Sequence, residues 1–337
     1  MNSAAPRGSE GRPAGRLLRA LLTAAAFVGA AVLPSGCGLV VEPVYVSELA
    51  WSPDGYVYFK RDVDDGPGQV WRMRPGGRAE AFLDAKALAD PCEGSPAYVS
   101  VVRAVGDTAL AVGFECLTSQ DRLYVVDLRT RVMTPLLTGD DIRDVALDAS
   151  GARGYVAQQR GNCASVARFG GGALHGLDVR VPALTGEWRL LEGYDASARE
   201  HDGLTCGAAG KAVSPASTSD GRTVVMVVTT APHGSGFQSS SMADRYDWQA
   251  GILDGDAVRL VGPTLSGVLR LAVAPDGARV ALVRNGEDDG MQVFGLPDGE
   301  ARAVATKGRV SDPAFSPDGK TIAYCSDETT IRFAAVS

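Results

Sequence analysis

At 337 residues, with 45% apolar and 22% charged residues, the chain is long enough to bury a sizeable core and too rich in apolar residues to be disordered. Its 41 Gly and 18 Pro argue against a long helical array and for many turns. Lys and Arg total 33 against 40 Asp and Glu, a formal net charge of −7, and no stretch interleaves clustered basic residues with aromatics, which argues against nucleic acid as a partner.

The chain opens with Arg7, Arg12, Arg16 and Arg19, followed by the apolar run Ala20 to Leu33 and then Leu33-Pro34-Ser35-Gly36-Cys37. Charged, apolar and small-residue regions in that order form an export signal over residues 1–36. The apolar run is too short to span a hydrocarbon core of about 30 Å comfortably. The stretch ending at Cys37 resembles a bacterial lipobox, which implies cleavage before Cys37 and diacylglyceryl attachment to its sulfur. Pro34 departs from that pattern, standing where a lipobox usually has leucine. Loss of residues 1–36, with four arginines and Glu10, takes the formal net charge from −7 to −10. The expected address is the outer side of the cytoplasmic membrane, or the periplasm or cell surface.

Leu39 to Tyr45 reads as a lone strand. Beyond it, one unit recurs to the end of the chain: a short apolar strand, a tight turn, and a second short strand. The first copy is Glu48-Leu49-Ala50-Trp51-Ser52-Pro53-Asp54-Gly55-Tyr56-Val57-Tyr58-Phe59, with further strands over Gln69 to Met73 and Arg78 to Phe82. The second copy is degraded, turning at Gly106-Asp107, and the third turns at Asp148-Ala149-Ser150-Gly151. The fourth turns at Thr218-Ser219-Asp220-Gly221 ahead of the β-branched run Thr223 to Val228, and the fifth at Ala274-Pro275-Asp276-Gly277. The sixth, Asp312-Pro313-Ala314-Phe315-Ser316-Pro317-Asp318-Gly319-Lys320-Thr321-Ile322-Ala323-Tyr324, is the clearest. Proline presets the second position of a type I turn, aspartate favours the third, and glycine suits the fourth.

Successive turns lie 42 to 70 residues apart, about one propeller blade with insertions. Four-stranded units of this kind bury their faces by packing radially. The expected fold is therefore an all-β, six-bladed propeller over residues 37–337, its last, shorter blade closed by the strand at Leu39 to Tyr45. The repeat around Pro313 to Tyr324 resembles that of TolB-type propellers of bacterial periplasmic proteins. That resemblance implies protein or peptide partners at the propeller mouth and names none, because such repeats serve scaffolds, sensors and peptidase lids alike.

If the first strand of each blade runs downward, the tight turns all lie on the bottom face. The long insertions at 182–210 and 231–247 then lie on top. They carry Trp188, Tyr194, Phe237 and Tyr246, with Trp248 just beyond, and these aromatics are either binding anchors or a satellite core that pins the loops. Cys92, Cys116, Cys163 and Cys206 fall on the same face. Pairing Cys92 with Cys116 and Cys163 with Cys206 joins near neighbours, although four of five cysteines can be paired in fifteen ways. Cys325 is then left as a buried thiol.

The three histidines, His175, His201 and His233, have no ligand spacing for zinc. The acidic turns Asp62, Asp64, Asp65 and Glu287, Asp288, Asp289 do not follow a calcium-loop pattern. No Gly-x-Ser-x-Gly nucleophile turn or phosphate loop is present, so no cofactor or metal is expected. The functional expectation is a tethered, non-catalytic propeller that binds a protein or ligand at the cell envelope. Two alternatives stand beside it: a sensory accessory subunit of a membrane partner, and an enzyme using a convergent cluster in the central channel.

Overall fold

The structure, a computed structural model, describes residues 44–336 apart from 64–67, 84–89, 95, 141, 161–162, 177–211, 229–246, 255–256 and 285–289. The propeller lies within the unit Glu42–Ser337.

Its most regular local feature is the turn read from the repeats. The carbonyls of Ser52, Asp148, Thr218, Ala274 and Ser316 accept hydrogen bonds of 2.8–3.0 Å from the N–H groups of Gly55, Gly151, Gly221, Gly277 and Gly319. All five glycines have φ between +68° and +84°, a region costly for side chains. This is a type I turn followed by a left-handed residue, the hairpin connection that returns the chain as an adjacent antiparallel strand. The turn aspartate reinforces it: Asp318 Oδ1 accepts from Lys320 N at 3.0 Å and from Ser316 Oγ at 2.6 Å.

Each turn joins the first two strands of a blade. Blade 1 comprises β1 (Val44–Trp51), β2 (Val57–Val63), β3 (Gln69–Met73) and β4 (Glu80–Leu83). Blade 2 comprises β5 (Ala97–Val105), β6 (Ala109–Cys116), β7 (Asp121–Asp127) and β8 (Met133–Gly139). Blade 3 comprises β9 (Ile142–Leu147), β10 (Arg153–Arg160), β11 (Cys163–Gly170) and β12 (Ala173–Gly176). Blade 4 comprises β13 (Ala212–Ser217), β14 (Thr223–Val228), β15 (Asp247–Asp254) and β16 (Ala257–Ser266). Blade 5 comprises β17 (Val268–Val273), β18 (Arg279–Arg284), β19 (Gly290–Gly295) and β20 (Arg302–Val304). Blade 6 has three strands among the described residues, β21 (Val310–Phe315), β22 (Thr321–Ser326) and β23 (Thr330–Ala335). The fold is a six-bladed β-propeller.

The core lies in the seams between blades. Tyr58, Phe82, Leu110 and Phe114 fill the seam between blades 1 and 2, and Val105, Leu123, Ile142 and Phe169 the next. Val166 meets Val225 and Leu253 between blades 3 and 4. Met226 and Trp248 meet Leu282 and Phe294 between blades 4 and 5, and Val283 meets Phe315 and Tyr324 between 5 and 6. Leu49 and Phe59 close the ring against Ala314, Ala323 and Cys325.

The expected closing strand needs correction at its end. Val44 and Tyr45 belong to β1, where they pair with Val63 and Asp62, and residues 39–43 lie outside the described residues. Among the described residues, blades 1 and 6 are joined by Val46 N donating to Glu328 O at 2.7 Å and by the Trp51 and Phe333 rings, 5.5 Å apart edge to face. Asp62, read as part of an acidic turn, lies in β2 and pairs with Lys60 at 2.9 Å.

Candidate functional site

The innermost strand of every blade carries a register shift, a β-bulge that re-aims a side chain. At three of these bulges a non-glycine residue holds a left-handed φ: Glu48 at 54°, Ser214 at 49° and Asp312 at 47°. Such backbone costs of the order of 1–3 kcal/mol per residue and persists only where the surroundings hold it. For Glu48 and Asp312 the surroundings are charged groups from other blades.

Glu48 Oε1 accepts from Arg270 Nη2 at 2.7 Å, and Arg103 Nη1 stands 2.9 Å from Oε2. Arg103 Nε donates to Asp144 Oδ1 at 2.8 Å, and Arg270 reaches Asp144 at 3.7 Å and Asp312 at 3.6 Å. Side chains from blades 1, 2, 3, 5 and 6 therefore meet at one place, which on a ring of blades is the central axis. The three carboxylate side chains are 6–9% exposed, the two guanidiniums 23% and 31%.

Three carboxylates against two guanidiniums leave one excess negative charge in this ring. Burial pushes the Glu48 carboxyl above the usual carboxylate range, with Arg270 and Arg103 acting against that shift. Oε2 of Glu48 accepts no hydrogen bond, so its contact with Arg103 is ionic only. Glu48 raises the affinity of Arg270 for its proton, and desolvation of Arg103 is outweighed by Asp144 and Glu48. Both guanidiniums thus stay charged. Among the described residues no group of three His, Cys, Asp or Glu is placed to hold a metal ion. Chemically the ring pins five blades together and presents weak net negative charge to the channel.

The sequence carries a signal for this ring that its turn-centred reading passes over. Glu48, Asp144, Ser214, Arg270 and Asp312 each lie seven residues before a turn glycine, as polar interruptions of apolar strands. Arg103 has no such register: the turn glycine of blade 2, Gly106, follows it by three residues.

On the top face Cys92 and Cys116 form a disulfide with Cα atoms 5.7 Å apart. The turn holding Cys92 is fixed to blade 2 by Tyr124 OH donating to Pro91 O at 3.0 Å and Arg122 Nη1 to Glu93 Oε1 at 2.8 Å. Cys206 and the side chain of Cys163 lie outside the described residues, as do Cys37, Trp188, Tyr194, Phe237 and Tyr246. Trp248 is not on a loop. It sits in β15, 8% exposed, packed in the seam between blades 4 and 5. Cys325 is a buried free cysteine, its thiol pushed up by burial and held far from reactive thiolate character.

The chain matches no protein-family model and no curated protein. Among solved structures it is similar to a TolB-type protein of Agrobacterium tumefaciens, at 13% identity and a TM-score of 0.53, covering 88% of this chain and 91% of that one. It is similar also to the Cps50 (Swd1) β-propeller domain of Myceliophteria thermophila, at 12% identity and 0.50, covering 88% and 100%. Against TolB from Acinetobacter baumannii the identity is 14% and the TM-score 0.47, and the match covers 81% of this chain but 57% of the length of that one. What is shared is the fold.

Proposed function

We propose that the protein is an exported, lipid-anchored β-propeller that binds a protein or peptide partner at the cell envelope and is not itself catalytic. The observation that carries this reading is the axial ring. In an enzyme the channel would present a base or nucleophile free to react, whereas here each guanidinium and carboxylate at the axis is engaged by a neighbour of opposite charge. Binding then falls to the insertions at 182–210 and 231–247 carried by a rigid ring of blades. The Cys92–Cys116 disulfide supports an oxidising compartment, and Cys37 supplies the anchor.

Crosslinkers placed at Trp188 or Tyr246 in the native envelope, with Asp54 on the bottom turn as control, test the partner site. Capture from the two top positions alone supports it, and equal or absent capture overturns it. Cys37→Ser should move the protein from the membrane fraction to the soluble one, and retention in the membrane would overturn the anchor. The channel-enzyme alternative keeps one observation in its favour, the meeting of three carboxylates on the axis.

A further inference from the structure

The bottom face of blades 1 and 2 carries arginines that the axial ring and the top-face insertions do not involve. Arg72 in β3 lies with its Cζ 4.4 Å from the centre of the Tyr56 ring and 5.4 Å from that of Phe82. Arg74 shares the Tyr56 ring at 4.5 Å, and Arg131 shares the Phe82 ring at 5.3 Å. Three guanidiniums from two blades are thus laid on two aromatic rings, Arg72 standing between the others.

Their partners divide them. Arg72 is neutralised by Glu80, 2.7 Å away. Arg74 and Arg131 are exposed and have no carboxylate partner among the described residues. The nearby acids are already engaged: Asp54 accepts from Tyr56 N at 3.1 Å and Tyr58 OH at 2.7 Å, and Asp127 accepts from the N–H groups of Arg129 and Thr130 and from the Thr130 hydroxyl. Asp107 alone on the adjacent turn is exposed without a described partner. Arg131 also holds a left-handed φ of 60°, a conformation that costs free energy in a non-glycine residue. Beside it Val132 is 59% exposed, the most exposed large apolar residue described.

We infer that this surface docks an acidic, partly apolar peptide segment of a partner protein, its carboxylates forked by Arg74 and Arg131 and an apolar side chain resting on Val132. A guanidinium held over a ring by cation–π attraction still has N–H donors to offer a carboxylate, and less side-chain entropy remains to be lost on binding. A single-stranded nucleic acid would need an open aromatic face on which to stack a base, and Tyr56 is already covered by two guanidiniums. A lipid surface fits poorly, because Val132 is the single large exposed apolar group described on this face and β1 enters the propeller from the opposite one. The inference goes beyond the proposed top-face site, and each can fail without the other.

The test is fluorescence anisotropy of the intact protein with a labelled peptide of alternating glutamate and valine, beside a lysine-valine peptide, vesicles of phosphatidylglycerol and a single-stranded oligonucleotide. The glutamate peptide should bind at low salt and weaken as salt rises. Binding should fall roughly tenfold or more in Arg74→Gln/Arg131→Gly, where glycine keeps the left-handed backbone, and stay unchanged in Arg222→Gln on the bottom of blade 4. Arg74→Gln alone, on an exposed turn, serves if the double variant melts early. No binding, binding indifferent to these variants, or preference for the vesicles or oligonucleotide overturns the inference.

Discussion

Arg270 Nη2 donates to Glu48 Oε1 at 2.7 Å, joining blade 5 to blade 1 across 222 residues of sequence. Blade 6 stands between these two blades in the ring, so the contact reaches across the axis rather than through a seam. It makes the axial ring part of the closure of the propeller as well as the filling of its channel.

Arg270→Met should therefore destabilise the fold by about 3 kcal/mol, the low end for breaking a buried pair because Arg270 is itself 31% exposed. Asp312 would lose the ion pair it makes with Arg270, and Glu48 would keep Arg103 alone. The double variant Arg270→Met/Glu48→Gln should recover part of that loss, a coupling readable by chemical denaturation of the four proteins of the cycle. A single variant within about 0.5 kcal/mol of wild type would show the ring to be energetically idle.

The two kinds of carboxylate should give opposite pH signatures. Glu48 is raised in the fold, so its contribution to stability is present in acid, below its unfolded value, and lost as pH rises through the folded one. The stability of wild type relative to Glu48→Gln should decline from pH 4 upward. Hydrogen bonds from Ser316 and from the Lys320 N–H hold Asp318 below the usual range, so its contribution is present above the unfolded value and lost as pH falls. Wild type relative to Asp318→Asn should thus lose its advantage only in acid. Denaturation curves across pH 2 to 8 distinguish the two, and parallel profiles would contradict both assignments.

The Cys92–Cys116 bridge joins residues 24 apart in sequence, for which chain-entropy arguments give about 3.5 kcal/mol. Cys92→Ser/Cys116→Ser, compared with wild type with and without reductant, should show that loss. Cys325 should react with a thiol reagent only after unfolding, since it is buried and protonated. Rapid labelling of the native protein at Cys325 would refute this.

Gly106 turns blade 2 with φ +51°, and a Cβ there would lie 2.7 Å from the carbonyl oxygen of Ala149 in the neighbouring turn. That oxygen is backbone and cannot swing aside. Gly106→Ala should cost about 1–3 kcal/mol through backbone strain and lost contact between blades 2 and 3. The same substitution at Gly55, with the same sign of φ but nothing within 4 Å, isolates the backbone part of the cost.

The strand-turn-strand unit was legible because its determinants are local. Ser316, Pro317, Asp318 and Gly319 encode a turn within four residues, and the bonds they form are with each other and the next strand. Even the blade count and the sorting of Cys92 and Cys116 to one face followed from alternation of strand direction along the chain. For Trp248 the choice between binding anchor and core was left open for the complementary reason. Whether an aromatic beside a long insertion lies on a loop or in a seam depends on where Phe294 and Leu282 stand, and these belong to the next blade. The axial ring shows the division most plainly. The spacing of seven residues before each turn glycine was written in the chain, but that Glu48, Asp144, Arg270 and Asp312 meet one another and Arg103 is a property of closure. Charges 41 to 222 residues apart in sequence attract at contact range only when the blades return on themselves, and only the tertiary structure brings them there.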